Sequence, residues 1–241
     1  ALNEKIVSKK INKNTAAIFL THAMGFIGLS KNFLNLIKKK KIFLIEDVCE
    51  SHGAKLGNKK AGTFGQISNF SFYYAHHMTT IEGGMISTNS KKIDILAKMK
   101  RGHGLLRDSQ DKSFIKKIKM KNKDLNSDFI FCTEGFNLRN DELSAVIGLE
   151  QIKRLDQNIK KRNYNHKLFL KNLRNDIFFK DFNLAGSSNY GLHLILRKKN
   201  KKLFSKILKI LELNSIEYRI GSAGGGNQLR QPYLKKFRKK F

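Results

Sequence analysis

An α/β fold is predicted for this chain of 241 residues, with a mixed, mostly parallel sheet and a small C-terminal α+β domain. Three observations predict it. Apolar strand-like runs alternate with amphipathic helical ones through the N-terminal half, the rhythm of βαβ units. Acidic residues stand at the carboxyl end of one such run, where open α/β sheets bind their ligands. The last part of the chain changes character, and the division is placed after residue 155, giving domains 1–155 and 156–241.

The elements follow in order. "AAIFLTHAMGF" (16–26) reads as a short buried strand and a loop, and "NFLNLIKKK" (32–40) as an amphipathic helix. "KIFLIEDVCESHGA" (41–54) is a second buried strand ending on Glu46 and Asp47. After the glycine-containing connection "LGNKKAGTFGQ" comes "ISNFSFYY" (67–74), alternating and β-rich, then an adjacent histidine pair, then "GGMISTN" as another strand. "KKIDILAKMKRGHG" (91–104) is helical and stops at glycine. Residues 105–128 are polar and lysine-rich, a surface loop with a helical piece. From Asp141 a long apolar periodicity predicts one long helix or two in series. Beyond it, "NYGLHLIL" (189–196) and "IEYRI" (216–220) read as strands flanking the helical "KKLFSKILKILELN".

Composition limits the function. At 40% hydrophobic residues the chain can bury a real core. No stretch approaches the roughly 20 apolar residues of a membrane span, and the N-terminus lacks the order of a signal peptide, so a cytoplasmic protein is expected. Cys49 and Cys132 lie far apart in no C-x-x-C pair, so no disulfide framework, zinc site or other metal site can be read from them. The formal charge of +29 would suit a nucleic-acid partner, but the lysines recur on nearly every polar segment instead of forming one stripe. They are read as solvated surface charges, with no nucleic acid or membrane as partner.

Individual residues leave alternatives open. Asp47 at a strand end fits a helix N-cap, or the partner of a cationic ring nitrogen such as that of pyridoxal phosphate (PLP). Ser71 fits a phosphate ligand or a hydroxyl bonded to nearby backbone. His76 and His77, if extended, face opposite ways and do not chelate one ion together. One faces a pocket and the other packs.

Five motifs in order carry a resemblance that covers essentially the whole chain. They are "IEDVCESHGA", "GTFGQISNFSFYYAHHMTTIEGGMIST", "RGHG", "GFNLRNDELSAVIGLEQIKRLD" and "IEYRIGSAGGGNQLRQPYL". Together they resemble the sugar-nucleotide aminotransferase family called DegT/DnrJ/EryC1/StrS, proteins of the aspartate-aminotransferase-like PLP fold (type I). The resemblance implies that Asp47 partners the pyridinium and that Ser71 binds the cofactor phosphate. It implies that Asn137 reaches the cofactor of a neighbouring subunit, making the active form a homodimer. Glu50 stands where the family commonly has a glutamine packed near the cofactor. Arg219 and the loop from Gly221 to Arg230 resemble the region near the nucleotide–sugar pocket, and His77 is a further candidate for touching substrate. Members generally begin with another stretch of the large domain, so the resemblance also implies an N-terminally incomplete chain, with 1–155 only part of the PLP-binding domain.

One departure stands out. Most members have a Schiff-base lysine five residues after the serine, where this sequence has His76. The wording "AHH" before a Glu-Gly-Gly turn is similar to the 3-dehydratase branch of the family. That likeness implies a cofactor working as pyridoxamine 5'-phosphate (PMP), regenerated from PLP by glutamate, and a nucleotide-linked 4-keto-6-deoxyhexose that loses its C3 hydroxyl. Imidazole titrates near neutrality and can take up and return a proton. A dehydratase type with an iron–sulfur cluster needs four cysteines, and two are present. The competing readings are a sugar aminotransferase, which lacks a substitute lysine between Ser71 and Asn89, and a non-catalytic basic binding protein on the same fold.

Overall fold

The computed structural model describes residues 4–221 and 230–240, with the side chains of 237–240 outside the description. Contacts divide the chain into two compact units, one of residues 1–173 with 180–193, the other of 174–179 with 194–241.

The first unit carries the sheet. After helix α1 (Glu4–Lys10), strands β1 (Ala17–Thr21) and β2 (Phe43–Asp47) are joined through helix α2 (Lys31–Lys39). They pair in parallel, with Thr21 level with Asp47. A small antiparallel hairpin, β3 (Lys55–Leu56) and β4 (Lys59–Lys60), precedes β5 (Ile67–Ser71), which is parallel to β2. β6 (Gly84–Ser87) closes the order β1-β2-β5-β6 in antiparallel sense. The sheet is therefore mixed and mostly parallel, as the sequence rhythm predicts.

α2 forms because Ser30 caps it, its hydroxyl accepting from the Phe33 N–H at 3.2 Å. Its apolar face then puts Phe33 and Ile37 against Leu20, Leu29, Ile42 and Leu44, the main core of this unit. The other face of β1 is a different matter. The sequence reads that strand as buried, yet Phe19 is 62% exposed, because side chains alternate and only Ile18 and Leu20 turn toward α2. β6 is exposed along its length.

α3 (Lys91–Arg101) ends at Gly102, and α4 (Lys112–Lys121) is the helical piece expected within the lysine-rich loop. α5 (Glu142–Asn172) settles the open alternative as one helix of 31 residues, begun by Asp141, whose carboxylate accepts from the Ser144 N–H at 2.7 Å. Residue 155, where the sequence reading divides the domains, lies inside α5. Leu155 and Ile159 pack with Met78, and the helix stays whole in the first unit.

The strand expected at 189–196 does not form. Ser188 and Tyr190 spend their N–H groups on the carbonyls of Gly25 and Met24, which leaves only an isolated bridge, Phe178 to Leu196. In the second unit α6 (Lys201–Leu213) is the expected helix. No strand forms at 216–220 either. The Ile216 N–H closes the end of α6 on the Leu211 carbonyl, and the Tyr218 hydroxyl donates to Glu212 at 2.6 Å. No helix among the described residues is long and apolar enough to cross a membrane.

Candidate active site

The parallel register brings Thr21, Asp47 and Asn69 into one row across the carboxyl ends of β1, β2 and β5. Asp47 is half-buried at its centre. Its carboxylate accepts from the Thr21 hydroxyl at 3.2 Å, the Asn69 amide at 3.0 Å and the Cys49 N–H at 3.1 Å. The last contact is a local Asx turn, so Asp47 is not a helix N-cap. A carboxylate offers about four acceptor sites. Three donors hold the group in place and leave one site over, which fits a protonated ring nitrogen. Thr21 and Asn69 escape a motif reading, and the signal for them is only their register with Asp47.

The carboxylate also governs its neighbour. Burial pushes the Cys49 thiol up to about 12, assisted by hydrogen bonding to Asp47 and by its negative charge.

Ser71 ends β5, two residues beyond Asn69. Its hydroxyl accepts the Tyr73 N–H at a long 3.4 Å, which leaves the hydroxyl proton available to a ligand. Its carbonyl is 3.2 Å from Nδ1 of His76. A carbonyl only accepts, so Nδ1 bears the proton and Nε2 of neutral His76 carries the lone pair. The histidine pair is not extended. It lies in bends that begin where the His76 N–H reaches the Tyr73 carbonyl at 3.0 Å.

His77 turns inward. It is buried, and Nε2 donates to the Ser188 carbonyl at 3.0 Å. Burial is the largest influence on it and drives it down to about 4, against the Ser188 carbonyl, which favours the cation. His52 is buried between Phe70, Phe72, His76 and His77, with ring centroids 5.7–6.2 Å away. Burial and then the imidazoles of His77 and His76 bring it to about 4 as well. Tyr190 packs on the pair from the far side, its ring 5.7 Å from His76 and 5.9 Å from His77.

Below this row, the fully buried Glu46 accepts four hydrogen bonds. They come from His22 at 3.0 Å, Gly62 at 2.8 Å, Phe64 at 2.7 Å and Gly65 at 2.6 Å. His22 Nδ1 accepts from the Gly28 N–H at 2.9 Å, so the imidazole is neutral with its proton on Nε2. Burial, the largest influence, opposes ionisation of Glu46, but the His22 proton and the three backbone N–H groups together hold it below its ordinary value.

The remaining expected residues are less gathered. Glu50 accepts the Met24 N–H at 2.8 Å and so fixes the turn at 23–25, where Met24 adopts φ +58°. Asn137 bridges Gly102, and its exposed side chain accepts from Arg139 at 3.4 Å. His103 is exposed beside that bridge. Arg219 is exposed in the second unit, and residues 222–229 of the glycine-rich loop lie outside the described residues. Among the described residues no three His, Cys, Asp or Glu side chains are placed to hold a metal ion.

Residues 1–228 match the DegT/DnrJ/EryC1/StrS aminotransferase family. The chain belongs to that family. Among its relatives, a GDP-4-keto-6-deoxy-D-mannose 3-dehydratase of Escherichia coli O55:H7 is 32% identical over 221 residues, 90% of this chain and 57% of the relative. A GDP-perosamine synthase of Escherichia coli O157:H7 is 30% identical over 167 residues, 69% of this chain and 41% of the relative. The solved structure of an E. coli GDP-4-keto-6-deoxy-D-mannose-3-dehydratase with bound hydrated PLP superposes with a TM-score of 0.82 at 28% identity, covering 98% of this chain and 59% of that one. The α/β fold of the PLP aminotransferases is therefore this DegT-family member's fold. The chain spans somewhat over half the length of the 3-dehydratases it matches.

Proposed function

We propose that the protein is a PMP-dependent lyase that removes the C3 hydroxyl of a nucleotide-linked 4-keto-6-deoxyhexose, with His76 as its acid–base. The observation that carries this reading is His76 itself. It stands where the family's Schiff-base lysine is expected, no lysine lies between Ser71 and Asn89, and its Nδ1 is tied to the Ser71 carbonyl.

Asp47 would hold the ring nitrogen and Ser71 the phosphate of the cofactor, with Glu50 beside them. When bound, PMP supplies an electron sink conjugated with the substrate's C4. Nε2 of His76 takes up a proton and then returns it to the departing C3 hydroxyl, which leaves as water. Tyr190 and the buried His52 restrict the imidazole to one orientation, so the lone pair is presented without a search over rotamers.

The wider reading includes glutamate as amino donor, a homodimer in which Asn137 serves the partner's cofactor, and a cytoplasmic setting. His77 is committed to Ser188 and contributes to the wall; Arg219 would approach the nucleotide diphosphate. The dispersed lysines suit a solvated surface more than a nucleic-acid partner. The perosamine synthase likeness favours a second reading, transamination at C4, which His76 disfavours because imidazole cannot form the covalent link that lysine does.

Mass spectrometry of the product separates the two. The full-length protein is incubated with PLP, glutamate and a GDP-linked 4-keto-6-deoxyhexose. Loss of the C3 oxygen with release of ammonia is expected. A sugar that keeps that oxygen and gains an amine overturns the dehydratase reading.

A further inference from the structure

Residues 187–190 form no helix or strand, yet Ser187, Ser188 and Asn189 are buried in the first unit. Such a segment must place its backbone polar groups somewhere. On one side the Ser188 N–H donates to the Gly25 carbonyl at 2.9 Å and the Tyr190 N–H to the Met24 carbonyl at 3.1 Å. Gly25, at φ +85°, lets the two backbones close up, since a Cβ there would lie 2.6 Å from the Asn189 nitrogen. On the other side the carbonyls are taken by side chains. Asn163 donates to Ser187 at 2.6 Å, His77 to Ser188 at 3.0 Å and Arg162 Nη1 to Tyr190 at 3.0 Å. The Asn189 amide returns a bond to the Arg162 carbonyl at 3.4 Å.

Tyr190 is the residue of this segment whose ring packs on His76 and His77. The bond that fixes its carbonyl therefore bears on where the ring lies. That bond comes from a guanidinium, and charge-assisted bonds are stronger than the neutral ones along the rest of the segment. Arg162 is half-buried, whereas Lys160 and Lys161 beside it are exposed, and it makes no ion pair among the described residues. It also lies close enough for its charge to reach the pair. Burial is the largest influence holding His77 neutral, and the Arg162 charge acts in the same sense.

We propose that Arg162 is a positioning residue for His76, which holds the Tyr190 carbonyl and so sets the tyrosine ring that keeps the imidazole in its working orientation. The assignment rests on the acid–base reading of His76. Arg162 acts through Tyr190 and not on the substrate, so its effect exists only while the Tyr190 ring is present.

The test is a double-mutant cycle in the full-length protein between Arg162→Met, which keeps the stem but donates nothing, and Tyr190→Leu, which removes the ring. Each is expected to lower kcat for C3–O cleavage about 10- to 100-fold with KM within about twofold, as misplacement of an acid–base does. The double variant should be no worse than the poorer single one. In ¹⁵N-histidine-labelled protein, with the His76 signal assigned through His76→Asn, the parent should show the Nδ1–H tautomer and Arg162→Met a mixture of tautomers. Arg162→Gln, which falls short of the carbonyl, repeats the test if the methionine variant does not fold. Losses that add in the cycle overturn the proposal, and so does an unchanged tautomer at His76. The ring spectrum decides this even where the parent makes no 3-deoxy sugar, a result that would overturn the reaction but not the positioning.

Discussion

His22 and Glu46, 24 residues apart, meet at 3.0 Å with both side chains fully buried, and the pair is a neutral imidazole donating to a carboxylate. Glu46 also accepts from Gly62, Phe64 and Gly65, so one side chain fixes the connection that leads into β5. In Glu46→Gln no orientation of the amide can accept from all four donors. The variant is expected to lose about 2 kcal/mol or more of stability, read by urea unfolding, with an unchanged m-value.

His76→Asn keeps a polar group of similar reach but cannot cycle a proton. Cofactor affinity should stay within about threefold, while C3–O cleavage falls by about 10²–10⁴, the usual span for loss of a general acid–base. Turnover equal to the parent's would remove His76 from the chemistry.

Asp47 is held by its neighbours, so its hold on the cofactor should depend on them. Asn69→Ala removes one hydrogen bond to the Asp47 carboxylate, worth about 1.5 kcal/mol, and is expected to weaken PLP binding about tenfold in a spectroscopic titration. Asp47→Ala should weaken it far more. Equal effects from the two substitutions would show that Asn69 touches the cofactor itself.

Asn137 is exposed beside the Gly102 bridge and joins none of the groups around Asp47 in its own chain. Asn137→Ala is expected to reduce cofactor retention in the dimer without altering unfolding of the subunit. Sedimentation alongside cofactor titration checks this, and a fully active monomer contradicts it.

Acid should destabilise the protein through His52 and His77. Each is near 4 in the fold, against an ordinary 6.5 in the unfolded chain. Between those values the unfolded state binds more protons, so stability is complete above about pH 6.5 and is lost as pH falls toward 4. The slope is about 1.4 kcal/mol per pH unit for each imidazole. Thermal unfolding from pH 7.5 to 4.5 should show this slope, and His77→Asn should flatten it.

The sheet, the helices and the strand-end position of Asp47 are legible in the sequence because they rest on periodicity and on short local signals. Ser71 and His76 are singled out only by the family resemblance, because a serine five residues before a histidine has no chemistry of its own. The clamp on Asp47 is not, since Thr21 and Asn69 matter only through strand register, which no local pattern encodes. Nor does alternation foretell how the histidine pair is placed. The chain bends at Tyr73, and His77 finds its partner 111 residues away at Ser188. In the segments read as strands, 189–196 and 216–220, suitable side chains are present, but the N–H groups of Tyr190 and Ile216 go to the carbonyls of Met24 and Leu211.

Cys49 lies two residues past Asp47, and its thiol is pushed up to about 12. Only a thiolate adds readily to carbonyl carbons or to alkylating reagents. A sulfur beside the Asp47 carboxylate is thus held as the thiol near neutrality, the form that reacts slowly with such reagents.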